Sequence, residues 1–373
     1  MLKKFNYIVV GAGLSGSVIA ERIASILNKK VLVIDKRDHI GGNCYDYIDK
    51  KTNIRVSKYG AHIFHTNHQK VIDYIKKFSN WINYEHKVVA YTDNKFVPVP
   101  VNITTVNRLI GTNIINEDQM NEWLNKNQIK YKNITNSEEM AKSLVGEILY
   151  EKLFKNYTYK QWNKFPNLLD KSVLARIPVR NNFDDRYFSD KYQFLPEKGY
   201  TNFISNILNH PNITVMLNCD FFTHDIFKSF DKNNFITIFT GPIDNFFPDL
   251  PKLEYRSINF YVEYMENIDY FQPAAVVNYP NLNVEYTRIV EYKHFLNQKS
   301  KDTIIVKETT TDTGEPFYPV PSQRNIELYE LYKQLAAQEK NVYFIGRLAN
   351  YKYFNMDEAI LNSLNFFDNF LYF

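Results

Sequence analysis

Three glycines near the start of the chain have the spacing of a phosphate-binding turn. Gly11, Gly13 and Gly16 match the pattern G-x-G-x-x-G directly after the apolar run Tyr7–Val10. Such glycines permit a tight turn, let backbone N–H groups approach a pyrophosphate at a helix N-terminus, and let helix and strand pack closely. About 20 residues later a second β-branched run ends in Asp35, whose carboxylate can accept hydrogen bonds from a ribose. The spacing predicts a dinucleotide-binding βαβ unit.

A second pair of glycines, Gly41 and Gly42, lies just beyond the acidic residue. A nicotinamide dehydrogenase has no need of glycines there, whereas flavoproteins of the glutathione-reductase kind bring the backbone close to the FAD pyrophosphate at this point. A simple hairpin at the same two residues is the alternative. The pair therefore favours FAD over NAD.

Three histidines, His62, His65 and His68, recur at a spacing of three and could suggest a metal site. A zinc site would need further cysteine or carboxylate ligands within reach. The preceding Tyr-Gly pair instead indicates a loop that leads into a helix from Gln69 to Phe78. We expect no metal at this position.

The composition is that of a globular protein with about two domains or one elaborated domain. The chain has 373 residues, 45% of them hydrophobic, and a net charge of +4. Lysines and arginines are scattered among acidic residues, so the charge does not indicate a nucleic-acid partner. Apolar runs stay shorter than the roughly 18 residues of a membrane-spanning helix, so we expect no membrane span.

The first residues also imitate a secretion signal, because two lysines precede an apolar stretch. That stretch contains the glycine pattern, and the helix that follows carries Glu21 and Arg22, which favours the βαβ unit. Only Cys44 and Cys219 occur, so a disulfide framework is not expected and a reducing compartment suits the chain. The sequence predicts a cytoplasmic protein.

The remaining periodicities predict a helical middle and a sheet-rich second half. Thr135–Glu138 resembles a capping box before apolar residues at helical spacing, which we expect in the core: Met140, Leu144, Val145, Ile148, Leu149 and Leu153. Strand patterns of a mixed or antiparallel sheet cover residues 213–217, 235–239, 258–264, 274–279, 286–291 and 303–308. A last strand, 341–345, precedes a closing helix near 357–370. Without a flexible linker, the helical middle is expected to be an insertion.

Short motifs in a fixed order carry a more specific resemblance. They are GAGLSG (11–16), HIGGN (39–43), YGAHIFHTN (59–67), SLVGE (143–147), YTYKQW (157–162), RIPVR (176–180), FDDRYFSDKYQ (183–193), TGPID (240–244), EYRS (254–257), EYTRIVEYKHF (285–295), EPFYPV (315–320) and GRLANYKYFNM (346–356). Over nearly its full length the chain resembles the prokaryotic UDP-galactopyranose mutase family. The resemblance implies the interconversion of UDP-galactopyranose and UDP-galactofuranose by non-redox covalent catalysis through N5 of reduced FAD.

The resemblance also implies an α/β fold with three parts. A Rossmann-like FAD-binding domain would comprise residues 1–80, 205–250 and 340–373. An inserted, mainly helical domain would comprise residues 100–165, with a mobile loop following to about residue 182. A six-stranded antiparallel-sheet domain would comprise residues 81–99, 183–204 and 251–339.

Residue roles are carried over from the family at the matching positions. Catalytic roles are implied for Arg176, Arg288 and His65, the arginines because their planar forks suit the pyrophosphate of the leaving UDP. Substrate-binding roles are implied for Asn102, Tyr157, Thr158, Trp162, Tyr187, Asn278, Tyr318, Tyr353 and Asn355. Cofactor-binding roles are implied for Gly11, Gly13, Leu14, Ser15, Gly16, Asp35, Lys36, Gly42, Asn43, His62, His65, Arg347 and Met356.

The sequence departs from the family pattern close to the sugar end. Phe354 and Asn355 stand where a Tyr-Asp pair is usual, Asn350 where Glu is common, and Phe317 where tyrosine is frequent. Loss of carboxylates removes negative charge near a dianionic substrate, while asparagine keeps a carbonyl acceptor of similar size.

The expected partners are UDP-galactose in both ring forms and an external reductant such as NAD(P)H or a flavin reductase. A homodimer is a further expectation. Two alternatives stay open: an FAD-dependent oxidoreductase of the amine-oxidase type, and a flavoprotein that binds UDP-sugars without turnover. The arginine pair and the Tyr-Thr-x-x-x-Trp segment favour a UDP ligand over an amine.

Overall fold

The computed structural model describes residues 2–227 and 235–372. Residues 228–234, within the predicted 205–250 segment and overlapping none of the predicted strands, and the residues at positions 1 and 373 lie outside the described residues. The strands are β1 Tyr7–Val10, β2 Val31–Ile34, β3 Asp46–Ile48, β4 Arg55–Ser57, β5 Phe64–Thr66, β6 Trp81–Asn83, β7 Val88–Thr92, β8 Lys95–Pro98, β9 Tyr192–Pro196, β10 Ile213–Met216, β11 Ile236–Phe239, β12 Tyr255–Met265, β13 Val276–Asn278, β14 Arg288–Glu291, β15 Thr303–Thr311, β16 Tyr318–Pro319 and β17 Val342–Phe344. The helices are α1 Leu14–Ile26, α2 Gln69–Ile75, α3 Ile103–Ile110, α4 Glu117–Asn127, α5 Ser137–Leu149, α6 Asn156–Trp162, α7 Gly199–Leu208, α8 Ile243–Phe246, α9 Gln323–Ala336 and α10 Met356–Phe366.

A five-stranded parallel sheet forms the first layer, in the order β10-β2-β1-β11-β17. The four residues of β2 are completely buried, as expected for a β-branched run in a parallel sheet that is covered on both faces. Helices α1, α7 and α10 contribute to the core beside it. This sheet is the Rossmann-like unit that the glycine pattern predicts, so the α/β fold class is confirmed.

A larger sheet has the order β16-β12-β15-β14-β13-β7-β8. It has seven strands rather than the expected six, and the β13–β7 pair is parallel, which corrects the description as purely antiparallel. The additional pairings have local causes. The hairpin between β7 and β8 turns at Asp93 and Asn94, which both have positive φ, and β16 adds a two-residue pairing beside Tyr255 and Arg256.

Helices α3, α4 and α5 enclose a second hydrophobic core. Helix α5 is capped by Asn136, whose side chain accepts from the N–H of Glu139, one residue after the predicted capping threonine. Val145, Leu149 and Leu153 are buried as predicted, and Met140 and Leu144 are half-buried. Ile148 is 50% exposed, so its assignment to the core was wrong: it falls on the solvent side of the helix.

Other element boundaries differ from the predicted ones by a few residues. Helix α2 ends at Ile75 rather than Phe78, and α10 ends at Phe366, after which a wider turn continues to Leu371. Two small sheets, β3–β4 and β5–β9–β6, have no counterpart in the predicted strands. In the described ranges, every helix is too short or too polar to cross a lipid bilayer. The domain bounds stay a prediction.

Candidate active site

The turn between β1 and α1 is built as a phosphate-binding turn requires. Gly11 and Gly13 form the turn, and Leu14 and Ser15 begin α1, whose first N–H groups have no intrahelical partner. A Cβ on Gly16 would lie 2.0 Å from the carbonyl oxygen of Gly11, so only glycine permits this packing of helix against strand.

The second glycine pair lies directly opposite this turn. Gly42 has φ +54°, and a Cβ there would lie 2.9 Å from the Cα of Gly13. Two backbone segments therefore face each other without an intervening side chain. This arrangement fits a diphosphate-bearing cofactor, because backbone N–H groups can approach its oxygens closely.

Polar residues surround the glycine turns, and each has an internal partner. Asp35 accepts from the N–H of Ala12 at 2.8 Å and from that of Arg37 at 2.9 Å, which places its carboxylate beside the first turn. Asn43 accepts from both terminal nitrogens of Arg37 at 3.1 Å. Lys36 pairs with Glu315 at 2.8 Å on the surface.

Two arginines meet at one pair of stacked tyrosines. The rings of Tyr318 and Tyr353 are stacked with centroids 5.4 Å apart. The guanidinium of Arg176 lies 4.6 Å from the Tyr353 ring, and that of Arg347 lies 5.2 Å from the same ring and 5.6 Å from Tyr318. Arg347 is anchored by hydrogen bonds to the carbonyl of Phe354 at 2.5 and 3.1 Å.

A third arginine comes from the large sheet. Arg288 begins β14 opposite Asn278 of β13, and the Asn278 side chain accepts from the hydroxyl of Tyr157 at 3.4 Å. Nε of Arg288 donates to Glu308 of β15 at 2.5 Å, and Glu308 is only 1% exposed. Burial opposes the cation, but Glu308 outweighs it and raises the pKa of Arg288 above its usual value.

The three arginines act electrostatically on an overlapping set of tyrosines. Burial raises the pKa of Tyr157, Tyr187 and Tyr318, although Arg288 lowers all three. Arg176 acts in the same way on Tyr187, and Arg347 on Tyr318. These hydroxyls stay protonated at neutral pH, so the space offers neutral donors beside fixed cations.

The histidines of the YGAHIFHTN motif have separate partners. Nδ1 of His62 lies 2.8 Å from the carbonyl of Gly60. Burial, with Arg347 and Arg288 nearby, lowers the pKa of His62 to about 4, so its ring is neutral at pH 7. His65 stacks on Phe188 at 3.7 Å, and its Nδ1 lies 2.9 Å from a carboxylate oxygen of Asp190.

Comparisons with known proteins agree with this geometry. A family model described as UDP-galactopyranose mutase matches residues 152–353, and one described as NAD(P)-binding Rossmann-like domain matches residues 9–78. A probable UDP-galactopyranose mutase of Klebsiella pneumoniae is 37% identical, with 98% of this chain and 94% of the relative covered. The chain belongs to the UDP-galactopyranose mutase family. It is therefore an enzyme of the isomerase class, and membership implies a flavin cofactor.

Two further comparisons define how far the likeness to this family extends. A dTDP-fucopyranose mutase of Escherichia coli is 36% identical, with 96% of each chain covered. A crystal structure of reduced UDP-galactopyranose mutase superposes with a TM-score of 0.75 at 16% identity, with 98% of this chain and 95% of that chain covered. The structural likeness at this identity establishes the shared fold.

Some residues to which the family resemblance assigns ligand-binding roles have structural contacts. Asn102 is fully buried as the N-cap of α3, where Oδ1 accepts from the N–H of Thr105 at 3.0 Å and Nδ2 donates to the carbonyl of Asp184 at 3.1 Å. Asn355 caps α10, and its N–H donates to Glu358 at 2.7 Å.

The remaining predicted residues lie on two helices. Thr158 of α6 is 2% exposed, and Trp162 is the last residue of that helix. Met356 begins α10 and accepts from the thiol of the buried Cys44 at 3.7 Å. Burial raises the pKa of Cys44 to about 12, so this thiol is not a nucleophile at neutral pH.

The structure gives Glu308 and Asn350 structural roles that the family pattern alone did not indicate. Glu308 was absent from the predicted site, because only the register between β14 and β15 places it against Arg288. Asn350 accepts from the N–H of Gly346 at 3.0 Å and donates to the carbonyl of Phe344 at 3.1 Å. A glutamate there could not donate, so this departure supplies a hydrogen bond that closes the loop after β17.

Proposed function

We propose that this chain interconverts UDP-galactopyranose and UDP-galactofuranose with reduced FAD as its cofactor. The observation that carries the proposal is a space in which Arg176 and Arg347 lie over the Tyr353 ring and Arg288 is near enough to act on the protonated Tyr187 and Tyr318. Such a space suits a diphosphate that gains negative charge during the reaction.

The arginines would stabilise the departing nucleotide. Cleavage of the bond between the anomeric carbon and the diphosphate places an additional negative charge on UDP, and cations fixed in advance stabilise that charge best. Arg288 is held in place by Glu308, and the Arg347 guanidinium by a backbone carbonyl. Arg176 lies in the segment between α6 and β9, and its guanidinium lies over the Tyr353 ring.

The neutral residues would orient the nucleotide and the sugar. Tyr157 and Trp162 on α6 are proposed to hold the uracil, with stacking on a base worth about 1–3 kcal/mol. Tyr187, Tyr318 and Tyr353 would donate to phosphate and sugar oxygens. The role of Asn102 would be indirect, through the helix that it caps and the loop at Asp184 that it binds.

The glycine turns and Asp35 are the proposed FAD site. Gly13 and Gly42 would hold the pyrophosphate by their backbone, and Asp35 would accept from the ribose. When bound in reduced form, FAD supplies a nucleophilic N5 for the anomeric carbon with no net oxidation. The neutral ring of His62, near Arg347, would border the flavin without adding a charge.

A second candidate substrate is dTDP-fucopyranose, because a dTDP-fucopyranose mutase is 36% identical to this chain, almost as much as the 37% of the probable UDP-galactopyranose mutase. Both sugars carry a nucleoside diphosphate, so the arginine cluster suits either. Two competing functions, an oxidoreductase and a UDP-sugar-binding protein without turnover, each make a different experimental prediction. We also propose a cytoplasmic location, a homodimer and reduction by NAD(P)H or a flavin reductase.

The test uses the flavin-loaded protein with dithionite and without oxygen. UDP-galactofuranose should convert to UDP-galactopyranose with no net use of reductant, and the oxidised protein should be nearly inactive. dTDP-fucopyranose is assayed in parallel, and a higher kcat/KM for it would reassign the substrate. Consumption of an electron acceptor in step with substrate would indicate an oxidoreductase. UDP binding without isomerisation of either sugar would indicate a protein that has lost the reaction.

A further inference from the structure

Lys160 of helix α6 has an unusual set of contacts that the proposed reaction does not use. Its Nζ lies 2.6 Å from the carbonyl oxygen of Tyr279, 3.1 Å from that of Asn281, 2.9 Å from that of Val284 and 2.8 Å from that of Tyr286. All four belong to the connection between β13 and β14. An ammonium has three N–H donors, so the four carbonyls share one cation.

Within the described residues, this ammonium donates only to main-chain carbonyls. Burial lowers the pKa of Lys160 to about 8, which still leaves the group charged at pH 7. Four carbonyl dipoles directed at one point repel each other unless a cation lies between them. Without the ammonium, these oxygens would lose their donor and the connection would have to rearrange or take up water.

The connection that Lys160 holds lies between two residues of the proposed nucleotide-sugar site. Asn278 immediately precedes it and Arg288 immediately follows it, and the N–H of Tyr279 donates to the carbonyl of Thr287 at 2.8 Å to close it. Tyr157 precedes Lys160 by one helical turn and donates to the Asn278 side chain. One face of α6 therefore contacts the connection at its end and along its length.

The C-terminal end of α6 is fixed to the large sheet through its last carbonyls. The hydroxyl of Thr310 donates to the carbonyl of Lys160, and Nε of the buried Arg256 donates to the carbonyl of Gln161 at 3.1 Å. Helix α6 is thus attached to β12 and β15 while Lys160 reaches the connection beside them. A shift of the connection would change the distances between Tyr157, Asn278 and Arg288.

We propose that Lys160 is a positioning residue for the nucleotide-sugar site, whose ammonium fixes the β13–β14 connection and so sets Asn278 and Arg288 against Tyr157. The inference rests on the proposed function in that the ligand is a nucleoside diphosphate. It extends that function by assigning the geometry of the site to a residue that does not touch the ligand.

The experiment compares Lys160→Met with Lys155→Met in the flavin-loaded protein. Lys155 lies on the preceding turn in an exposed pair with Glu151, so it controls for loss of a lysine from the same segment. UDP affinity is measured by titration, and KM and kcat by the isomerase assay. K160M should weaken UDP binding by about tenfold or more and raise KM more than it lowers kcat, with full flavin content. K155M should stay within about twofold of the unaltered chain.

A purely structural role would lower the melting temperature but leave the UDP affinity of the folded, flavin-loaded protein unchanged, and that result would overturn the proposal. Amide hydrogen exchange of residues 279–287 provides a readout that needs no ligand: K160M should speed it, and unchanged exchange would also overturn the proposal. If K160M does not fold, Lys160→Gln, which keeps two donors without the charge, is measured in the same way.

The two proposals fail separately. An unaltered chain that binds neither UDP nor dTDP contradicts the proposed function, while the exchange experiment still decides whether Lys160 fixes the connection. Restoration of UDP affinity in Lys160→Ala by propylammonium would support the cation as the active element. Absence of such restoration, together with wild-type exchange rates, would contradict it.

Discussion

Glu308 determines where the guanidinium of Arg288 lies. Its Oε2 accepts from Arg288, and Oε1 has no hydrogen-bond partner within the described residues. The carboxylate is therefore buried with a single strong contact, and each ion depends on the other for compensation. A buried ion that loses its partner is costly because water cannot replace it.

We expect Glu308→Ala to lower the free energy of unfolding by about 1–3 kcal/mol, since it leaves the partly buried Arg288 without its counter-ion. Glu263→Ala is the matched control on the neighbouring strand, because its pair with Lys307 is partly exposed and should contribute less than about 1 kcal/mol. Urea denaturation of the flavin-loaded proteins measures both. Equal effects of the two substitutions would show that the Arg288–Glu308 pair contributes no more to the free energy of unfolding than the more exposed pair.

Arg176 is the arginine whose removal should affect the substrate with the least damage to the fold, because it is exposed and contacts mainly Tyr353. Loss of a charge-assisted contact of about 1.5–3 kcal/mol predicts a decrease of one to two decades in kcat/KM for Arg176→Ala. Flavin content should not change. Arg324→Ala, at an exposed position that pairs with Glu254, should have no effect on steady-state kinetics. Arg288→Ala should reduce turnover as well, with an added loss of stability.

His62 should make the free energy of unfolding depend on pH in the acidic range. Its folded-state pKa is about 4 and its ordinary value is 6.5, so between these pH values the unfolded chain binds a proton that the folded protein does not. The free energy of unfolding should therefore fall as the pH drops from 6.5 to 4, by roughly 2–3 kcal/mol from this group. His62→Gln should make the loss of stability between pH 6.5 and 4 shallower in urea titrations, although part of the loss remains because burial also lowers the pKa of His86, to about 3. The exposed His68→Gln serves as the control, and a pH dependence as steep in H62Q as in the unaltered protein would refute the assignment to His62.

At the scale of elements, the contact between the two glycine turns should control flavin binding. Gly42→Ala places a Cβ 2.9 Å from the Cα of Gly13, so the turns must separate and flavin affinity should fall by about tenfold or more. Gly111→Ala is a suitable control: it also has positive φ, but nothing lies within 4 Å of its Cβ. That substitution should cost only about 1–2 kcal/mol of backbone strain. Flavin titration followed by absorbance distinguishes the two.

The elements that sequence patterns predicted well are those with a strong local signal. The glycine spacing and the β-branched run of β2 indicated the βαβ unit that lies in the parallel sheet, and apolar residues at helical spacing indicated α5. Contacts that depend on pairing register could not be predicted in this way. The position of Glu308 against Arg288 and the parallel β13–β7 pair follow from strands distant in sequence, and the buried cap role of Asn102 depends on the carbonyl of Asp184.

At the scale of the whole molecule, the C-terminal residues complete the core of the N-terminal unit. Phe367 is 2% exposed and belongs to the same hydrophobic core as Val18 and Ile23 of α1, whereas Phe370 is 55% exposed. Phe367→Ala should therefore destabilise the protein by about 3–5 kcal/mol and reduce flavin retention on heating. Phe370→Ala should cost less than about 1 kcal/mol. Thermal unfolding followed by flavin fluorescence tests the difference, and similar melting points would contradict it.

The order of strands in the parallel sheet has a consequence for biosynthesis. Its central strand, β1, is made first, but one of its two neighbours, β11, comes from residues 236–239, and the strand beyond β11, β17, comes from residues 342–344. On the ribosome the sheet therefore cannot close until almost the whole described chain has left the exit tunnel. Until β11 has emerged, the edge of β1 that it will pair with presents unpaired N–H and C=O groups to other nascent chains, and long-range pairing of this kind is slow. The protein should depend on chaperones during synthesis more than a protein whose sheet is built from consecutive segments.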